Sequence, residues 1–277
     1  MTGETAAKQL VAEAQALLGA GSPEEAITTC RRALAIEPDC LDAHLCMAHA
    51  KLPGEDYLVW LRRLHERLRP RTYLEIGVDA GRTLGLARPP TIAVGVDPAP
   101  AQAQALPLSA QTRVFAMESD AFFASRDVAR EFGHSSIDLA FIDGLHLFEQ
   151  ALKDFIHVER HTASDSVVLF HDCLPLTGET ATRDRRTGFW TGDVWKIVPI
   201  LERSRPDLTV FVIATYPTGL GVVTRLDPTS RVLDSRFEEI VAEFIPKEWN
   251  EESEEAASLP IVPNDWAFVE RRLRPAD

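Results

Sequence analysis

No run of apolar residues approaches the length of a membrane span, and the first residues lack the charged-then-apolar pattern of a secretion signal. Cysteine is scarce. The four present, Cys30, Cys40, Cys46 and Cys173, have neither paired zinc spacing nor the density of a disulfide scaffold. Cys40, His44 and Cys46 come closest to a ligand set, and read instead as small residues buried in a helix. A reducing cytoplasm is the expected compartment. Positive charge is also in deficit: 29 Lys and Arg stand against 42 Asp and Glu, a net charge of −13. That argues against a nucleic-acid surface, which normally shows a basic stripe. The local basic runs, Arg62 to Arg71 and Arg183 to Arg186, read as solvated faces. What is left, 277 residues of which 45% are hydrophobic, suffices for one large domain with an appendage.

Within it, Tyr73-Leu-Glu-Ile-Gly-Val-Asp-Ala-Gly-Arg-Thr83 reads as a short strand, a glycine turn from Gly77 to Gly81, and the first turn of a helix. So sharp a turn needs residues that tolerate positive φ and carry no bulk. A ligand could then lie against the main chain at a helix N-terminus. The spacing differs from the Gly-x-Gly-x-x-Gly of dinucleotide folds. Where such a site has its first glycine this chain has Glu75, an anion that would repel a pyrophosphate. A donor bearing a sulfonium and an ammonium, such as S-adenosylmethionine, suits an acidic turn better.

The chain begins with alanine-rich helical patterns over residues 5 to 50, with Ser22 and Pro23 opening the second helix and Glu25 completing a capping box. Small residues at Ala14, Ala26 and Ala33 resemble one and a half tetratricopeptide repeats, which need a neighbour to cover them. They are expected to cap the main domain or meet a second subunit. An amphipathic helix follows from Tyr57 to Leu68. Strands are expected at Tyr73 to Ile76, Thr91 to Val96, Arg113 to Ala116, Ile137 to Ile142 and Ser166 to Phe170, then an edge pair at Thr209 to Ala214 and Gly221 to Thr224. Apolar strands alternating with helices imply a doubly wound α/β sheet, with ligands outside the strands' carboxyl ends. The segments divide as 1–54 (helical extension), 55–228 (main domain) and 229–277, a tail whose Trp266 and Phe268 suggest an arm docking across the cleft or onto another subunit.

Four successive strands end in an acid: Glu75, Asp97, Asp120 and Asp143. Asp97 is placed to accept both ribose hydroxyls of a nucleoside, and Asp120 with the Ser119 backbone to take the adenine amino group. The ordered set Glu75-Ile-Gly-Val-Asp-Ala-Gly81, Asp97, Glu118-Ser-Asp120 and Asp143-Gly-Leu-His146 resembles the motifs of class I S-adenosylmethionine-dependent methyltransferases, over about residues 57 to 225. The resemblance implies a Rossmann-like, seven-stranded, mostly parallel sheet in the order 3-2-1-4-5-7-6, with strand 7 antiparallel. It also implies donor binding by Glu75, Gly77, Gly81, Thr83, Asp97, Ser119, Asp120 and Asp143.

A narrower resemblance, carried by Asp143-Gly-Leu-His-Leu-Phe148, Asp154 and His171-Asp172, is to metal-dependent enzymes that methylate hydroxyls of sugars and other small natural products. It implies a divalent cation, magnesium first, at Asp143, His171 and Asp172. His171 stands where that branch has an acid or amide, and imidazole suits iron, zinc or manganese better. The same resemblance makes His146, with Asp143, the catalytic pair: His146, on the first turn of the next helix, would be the general base. Arg185, Arg186, Trp190 and Trp195 would stack on an acceptor and hold its anionic group. The expected function is methyl transfer to a hydroxyl of a small-molecule acceptor, with no nucleic-acid or membrane partner and an oligomer contact through the terminal segments. Two other readings stand beside it: a methyltransferase-like regulatory protein without catalysis, and a metal-dependent hydroxylase or hydrolase on the same sheet.

Overall fold

The computed structural model describes residues 3–101 and 111–273. Three helices, α1 (Gly3–Gly19), α2 (Pro23–Ile36) and α3 (Leu41–Lys51), pack on one another ahead of α4 (Tyr57–Leu68). Pro23 occupies the first turn of α2, but Ser22 makes no side-chain bond at the cap, so the expected capping box does not form. Asp56 does cap α4, accepting the Val59 N–H at 2.8 Å.

The strands are β1 (Thr72–Ile76), β2 (Ile92–Asp97), β3 (Thr112–Ala116), β4 (Ile137–Ile142), β5 (Thr162–Phe170), β6 (Thr209–Ile213), β7 (Leu220–Thr224) and β8 (Ile261–Val262). They form one sheet in the order β3-β2-β1-β4-β5-β7-β6-β8. The pairs among β1 to β5 are parallel, and β7 runs antiparallel to both β5 and β6. This is the expected seven-stranded order with one strand added. The addition comes from the tail, where β8 pairs in parallel with Val212 and Ile213 of β6. Between the strands run α5 (Ser119–Ser125), α6 (Val128–Glu131), α7 (Phe148–Glu159) and α8 (Ile197–Ser204); α9 (Val232–Ser235), α10 (Phe237–Phe244), α11 (Glu254–Ser258) and α12 (Trp266–Arg272) belong to the tail.

Strand side chains alternate between two cores. Leu74, Ile76, Val94 and Ala140 face Leu152 and Phe155 of α7 and Leu201 of α8. Tyr73, Leu139, Phe141 and Phe211 face Trp60, Leu61 and Leu64 of α4 and Val269 of α12. Each of these large buried side chains contributes roughly 1.5–3 kcal/mol relative to exposure. The tail therefore does not cross the cleft. Its Trp266 lies on Trp60 (ring centroids 5.6 Å apart), and Asn264 accepts the Trp60 indole N–H at 2.7 Å. Apolar surface on α4 explains this route, because the tail supplies the other half of that core.

The helical unit also leans on the main domain. Cys30, Cys46 and Met47 share a core with Leu176, joined by the partly buried Phe189 and Tyr216. All four cysteines are buried and reduced. Among the described residues no helix is long and apolar enough to cross a membrane.

Candidate active site

The carboxyl ends of β1, β2, β4 and β5 open into a cavity of about 870 Å³, within the rough range of 300–1,000 Å³ of small-molecule sites. One side of it is built by the glycine turn. Gly77 adopts φ +86°, and a Cβ there would sit 1.9 Å from the Asp143 carbonyl oxygen, so only glycine lets β1 and β4 close together at this point. Gly81 has φ +67°. Beyond it the chain makes only a short 3-10 turn, Leu84–Leu86, before Pro89 and Pro90. No α-helix follows β1, which corrects the expectation of a helix N-terminus here: the fifteen residues of the connection, 77–91, are taken up by the glycine turn, the 3-10 turn and the two prolines.

Asp97 takes over the missing role of organising that turn. Its Oδ2 accepts the N–H groups of Val78 (2.8 Å) and Asp79 (3.0 Å), and its Oδ1 that of Ala99 (2.7 Å). The side chain lines the cavity, with part of its acceptor capacity already given to the main chain.

Glu75 is placed differently from the expectation. It is fully buried on the α4 face of β1 beside Tyr73 and does not line the cavity. The Tyr73 hydroxyl donates to Oε2 at 2.6 Å and the Thr83 hydroxyl to Oε1 at 2.8 Å. Burial pushes its pKa up to about 8, against the pull of these donors. Glu75 is thus the floor of the turn rather than an exposed anion at its rim, and the charge argument built on it moves to other acids. Asp79, Asp97, Glu118 and Asp120 are carboxylates of the cavity wall that keep this side acidic. Thr83 borders the cavity, but its hydroxyl is turned to Glu75.

Ser119 and Asp120 open α5 and reach the cavity from β3. Gln150 of α7, not singled out in the sequence, ties them together. Its amide donates to Ser119 Oγ (3.2 Å), Asp120 Oδ1 (3.0 Å) and Asp154 Oδ1 (3.1 Å). The signal for it was present, since Gln150 and Asp154 share one helix face at i, i+4. Asp154 is buried, which pushes its pKa up to about 6.

The opposite side gathers Asp143, His146, His171 and Asp172. His146 precedes α7 instead of lying on its first turn, with φ +59°. Residues 190 to 193 hold it there. The Asp193 N–H donates to the His146 carbonyl at 3.2 Å, and a Cβ on Gly192 would sit 1.8 Å from that oxygen. Asp193 Oδ1 accepts the Phe148 N–H at 2.9 Å, satisfying the start of α7, while Arg183 (2.7 Å) and Lys196 (2.8 Å) hold Oδ2.

The His146 Nε2 lies 3.2 Å from Asp143 Oδ1, and Nδ1 lies 3.2 Å from Asp172 Oδ2. Only a distance joins the latter pair: Nδ1 has hydrogen-bond geometry toward the Trp190 carbonyl at 3.1 Å. Burial alone would lower the imidazole pKa, but Asp172 and then Asp143 outweigh it and raise it to about 9. His171 Nδ1 lies 3.4 Å from Asp143 and 3.3 Å from Asp172, and the same two carboxylates outweigh burial there, raising it well above its ordinary value. The two carboxylates favour the protonated imidazole, and a cation that took up their charge would free the ring as a ligand or base.

Asp172, buried and at φ +60°, keeps one oxygen, Oδ2, without a hydrogen-bond donor among the described residues. A buried carboxylate oxygen left this way is costly unless a cation meets it. Asp143, His146 and Asp172 can bring one ligand atom each within 4.8 Å of one another, so the residues fit a divalent ion. His146 is thus a further candidate ligand beside His171, which the sequence singled out and whose Nδ1 lies nearly as close to both carboxylates.

The 183–195 loop divides its aromatic residues. Trp190 stacks on His146 (centroids 5.3 Å, planes 21° apart) and its indole N–H donates to the Thr182 carbonyl. Trp195 is buried against Trp249 and does not reach the cavity. Arg185 borders the cavity and Arg186 does not. Tyr57 of α4 completes the wall, its ring 4.4 Å from that of His171.

Residues 74–173 match the family of methyltransferase domains. Solved structures with similar folds include the O-methyltransferase TomG of Streptomyces achromogenes, involved in tomaymycin synthesis and bound to S-adenosylmethionine. It is 15% identical, with a TM-score of 0.47 over 62% of this chain and 80% of that one. An O-methyltransferase from Bacillus cereus, bound to S-adenosylhomocysteine, is 13% identical, with a TM-score of 0.47 over 64% and 86% of the two chains. The Podospora anserina methyltransferase PaMTH1, also bound to S-adenosylhomocysteine, is 14% identical, with a TM-score of 0.46 over 69% and 89%. No curated protein matches the chain in sequence.

Proposed function

We propose that the class I methyltransferase domain of this chain moves a methyl group from S-adenosylmethionine to a hydroxyl oxygen of a small molecule. One observation carries the reading: a cavity at the carboxyl ends of β1, β2, β4 and β5 whose wall holds Asp97 and Asp120 on one side and Asp143, His146 and Asp172 on the other. The donor's ribose lies at Asp97, its adenine toward Ser119 and Asp120, and its methionine part along Gly77 to Gly81. The acidic wall favours the sulfonium over a phosphorylated nucleotide.

The acceptor oxygen attacks the methyl carbon in line. The O–CH₃ bond forms as the S–CH₃ bond breaks, adenosylhomocysteine departs neutral at sulfur, and the acceptor proton must leave. Positioning supplies most of the rate, because the sulfonium is already activated. Asp143, His146 and Asp172 would hold a divalent cation, which supplies Lewis acidity toward a hydroxyl. The imidazole among them moves the preference from magnesium toward manganese, iron or zinc. With the cation bound His146 would be a neutral ligand; where the cation is absent it would take the hydroxyl proton as the free imidazole, whose share grows toward pH 9. Buried, reduced cysteines suit a cytoplasmic enzyme.

Calorimetry with S-adenosylhomocysteine tests the reading. The wild-type protein should bind one equivalent, and Asp97→Ala should bind about 100-fold more weakly, the loss of two charge-assisted hydrogen bonds. No binding by the wild type would remove the function. An unchanged Asp97→Ala affinity would remove the ribose assignment.

A further inference from the structure

The mouth of the cavity is unlike its interior. Six large hydrophobic side chains are exposed among the described residues, and two of them, Leu41 (53% exposed) and Leu145 (60%), border this cavity. Leu41 belongs to the first turn of α3, in the helical unit that precedes the methyltransferase domain. Its position is fixed by contacts of that unit with the 176–190 segment. Asp39 Oδ1 accepts the Gly188 N–H at 2.8 Å, His44 stacks on Phe189 (5.3 Å, 11°), and Lys51 donates to the Leu176 carbonyl at 2.5 Å. Phe189 itself borders the cavity. Water-facing apolar groups converging from three separate segments call for an apolar occupant.

Arg185 stands in the same wall. Its guanidinium donates to the Gly188 carbonyl at 3.0 Å and, at a longer 3.4 Å, to that of Thr187, and it meets no carboxylate among the described residues. Arg183, two positions away, is by contrast fully engaged by Glu149 and Asp193. Five N–H donors with two carbonyl partners leave Arg185 able to grip an anion in bidentate fashion. The other arginine on the cavity wall, Arg82, directly follows the glycine turn and so lies on the donor's side.

We propose that this mouth is an acceptor subsite for a small molecule joining an apolar ring to a carboxylate or phosphate, with Leu41, Leu145 and Phe189 against the ring and Arg185 on the anion. The proposal rests on the methyltransferase reading of the cavity. It gives the N-terminal helices a role as one wall of the acceptor site. It also explains the charge layout: an anionic group is kept at the mouth, away from the acids that face the sulfonium.

Ligand-observed NMR on the full-length protein, with and without S-adenosylhomocysteine, tests it with four probes: benzoate, phenyl phosphate, benzyl alcohol and inorganic phosphate. One of the two aromatic anions should bind about tenfold more tightly than benzyl alcohol and than inorganic phosphate, and which one it is identifies the anion. Arg185→Gln should erase the advantage over benzyl alcohol. Leu41→Asp should weaken both aromatic anions and the alcohol. Both residues are exposed, so thermal melting should match the wild type, and adenosylhomocysteine affinity should not move. Equal binding of the alcohol, no binding by either aromatic anion, or an unaltered profile in Arg185→Gln would overturn the proposal. Loss of adenosylhomocysteine binding by the wild type would instead strike the underlying function.

Discussion

The two sides of the cavity satisfy their carboxylates in opposite ways. On the side of β1 and β2, Asp97 receives three main-chain N–H groups, and Glu75 is closed in by Tyr73 and Thr83. On the side of β4 and β5, Asp143 and Asp172 meet imidazoles whose pKa they raise, and one Asp172 oxygen has no hydrogen-bond donor among the described residues. Both His146 and Asp172 sit in left-handed backbone conformations. The first side is organised by its own chain and can receive a ligand without rearranging. The second holds charge and strain that only a bound cation or acceptor relieves, the pattern expected where binding energy is directed into chemistry.

Three substitutions sharpen that contrast. The largest effect should come from Gly77→Ala, which joins the two sides. Its methyl would collide with the Asp143 carbonyl at a positive φ, and the cost should reach about 3 kcal/mol or more, a fall in Tm on the order of 10 °C by calorimetry. A Tm within two or three degrees of wild type, by that same scale, would mean the turn is looser than the packing indicates.

Asp172→Asn should divide the sides more finely. It removes the leading cause of the raised His146 pKa, so histidine NMR should show that ring titrating well below 9. Divalent-cation binding should be lost, while Tm changes little, because the pairing lost with His146 and His171 is offset by deprotonation of those rings and by removal of the undonated buried oxygen. A clear drop in Tm would show that the second side is as self-satisfied as the first.

The third contrast concerns pH. Glu75, with a folded pKa of about 8, binds a proton that the unfolded chain has released, so its contribution to stability declines between about pH 4.5 and 8. His146, raised to about 9, adds a decline between about 6.5 and 9, being fully stabilising below that window. Stability should therefore fall steadily from mildly acid to alkaline pH. Glu75→Gln should flatten the lower part of this slope and leave the upper part, as urea titrations at several pH values would show.

Much of the donor side was legible in the sequence because it is local. Gly77, Gly81 and Asp97 announce themselves through turn chemistry and the position of an acid at a strand end, and apolar runs separated by helices mark the parallel strands, whose order came from the resemblance to class I methyltransferases. Glu75 was misplaced for a geometric reason: strand periodicity puts it on the Tyr73 face, under α4, and only α4 makes that face a closed core. His146 was set on a helix that begins two residues later, because the cap of that helix is Asp193, far along the chain. Leu41, and Gln150 in its bonds to Ser119 and Asp120, matter through neighbours that no spacing rule brings near them.

By itself the sequence determined the parallel sheet, its reversal at the edge and the row of acids at the strand ends, since these follow from residue periodicity and backbone preference. The tertiary structure alone decided which of those acids face the cavity, that His146 and His171 both meet Asp143 and Asp172, and that the tail adds a strand while Leu41 of the N-terminal helices borders the mouth. Burial and charge pairing depend on distances between segments remote in sequence, and those distances exist only after the chain has packed.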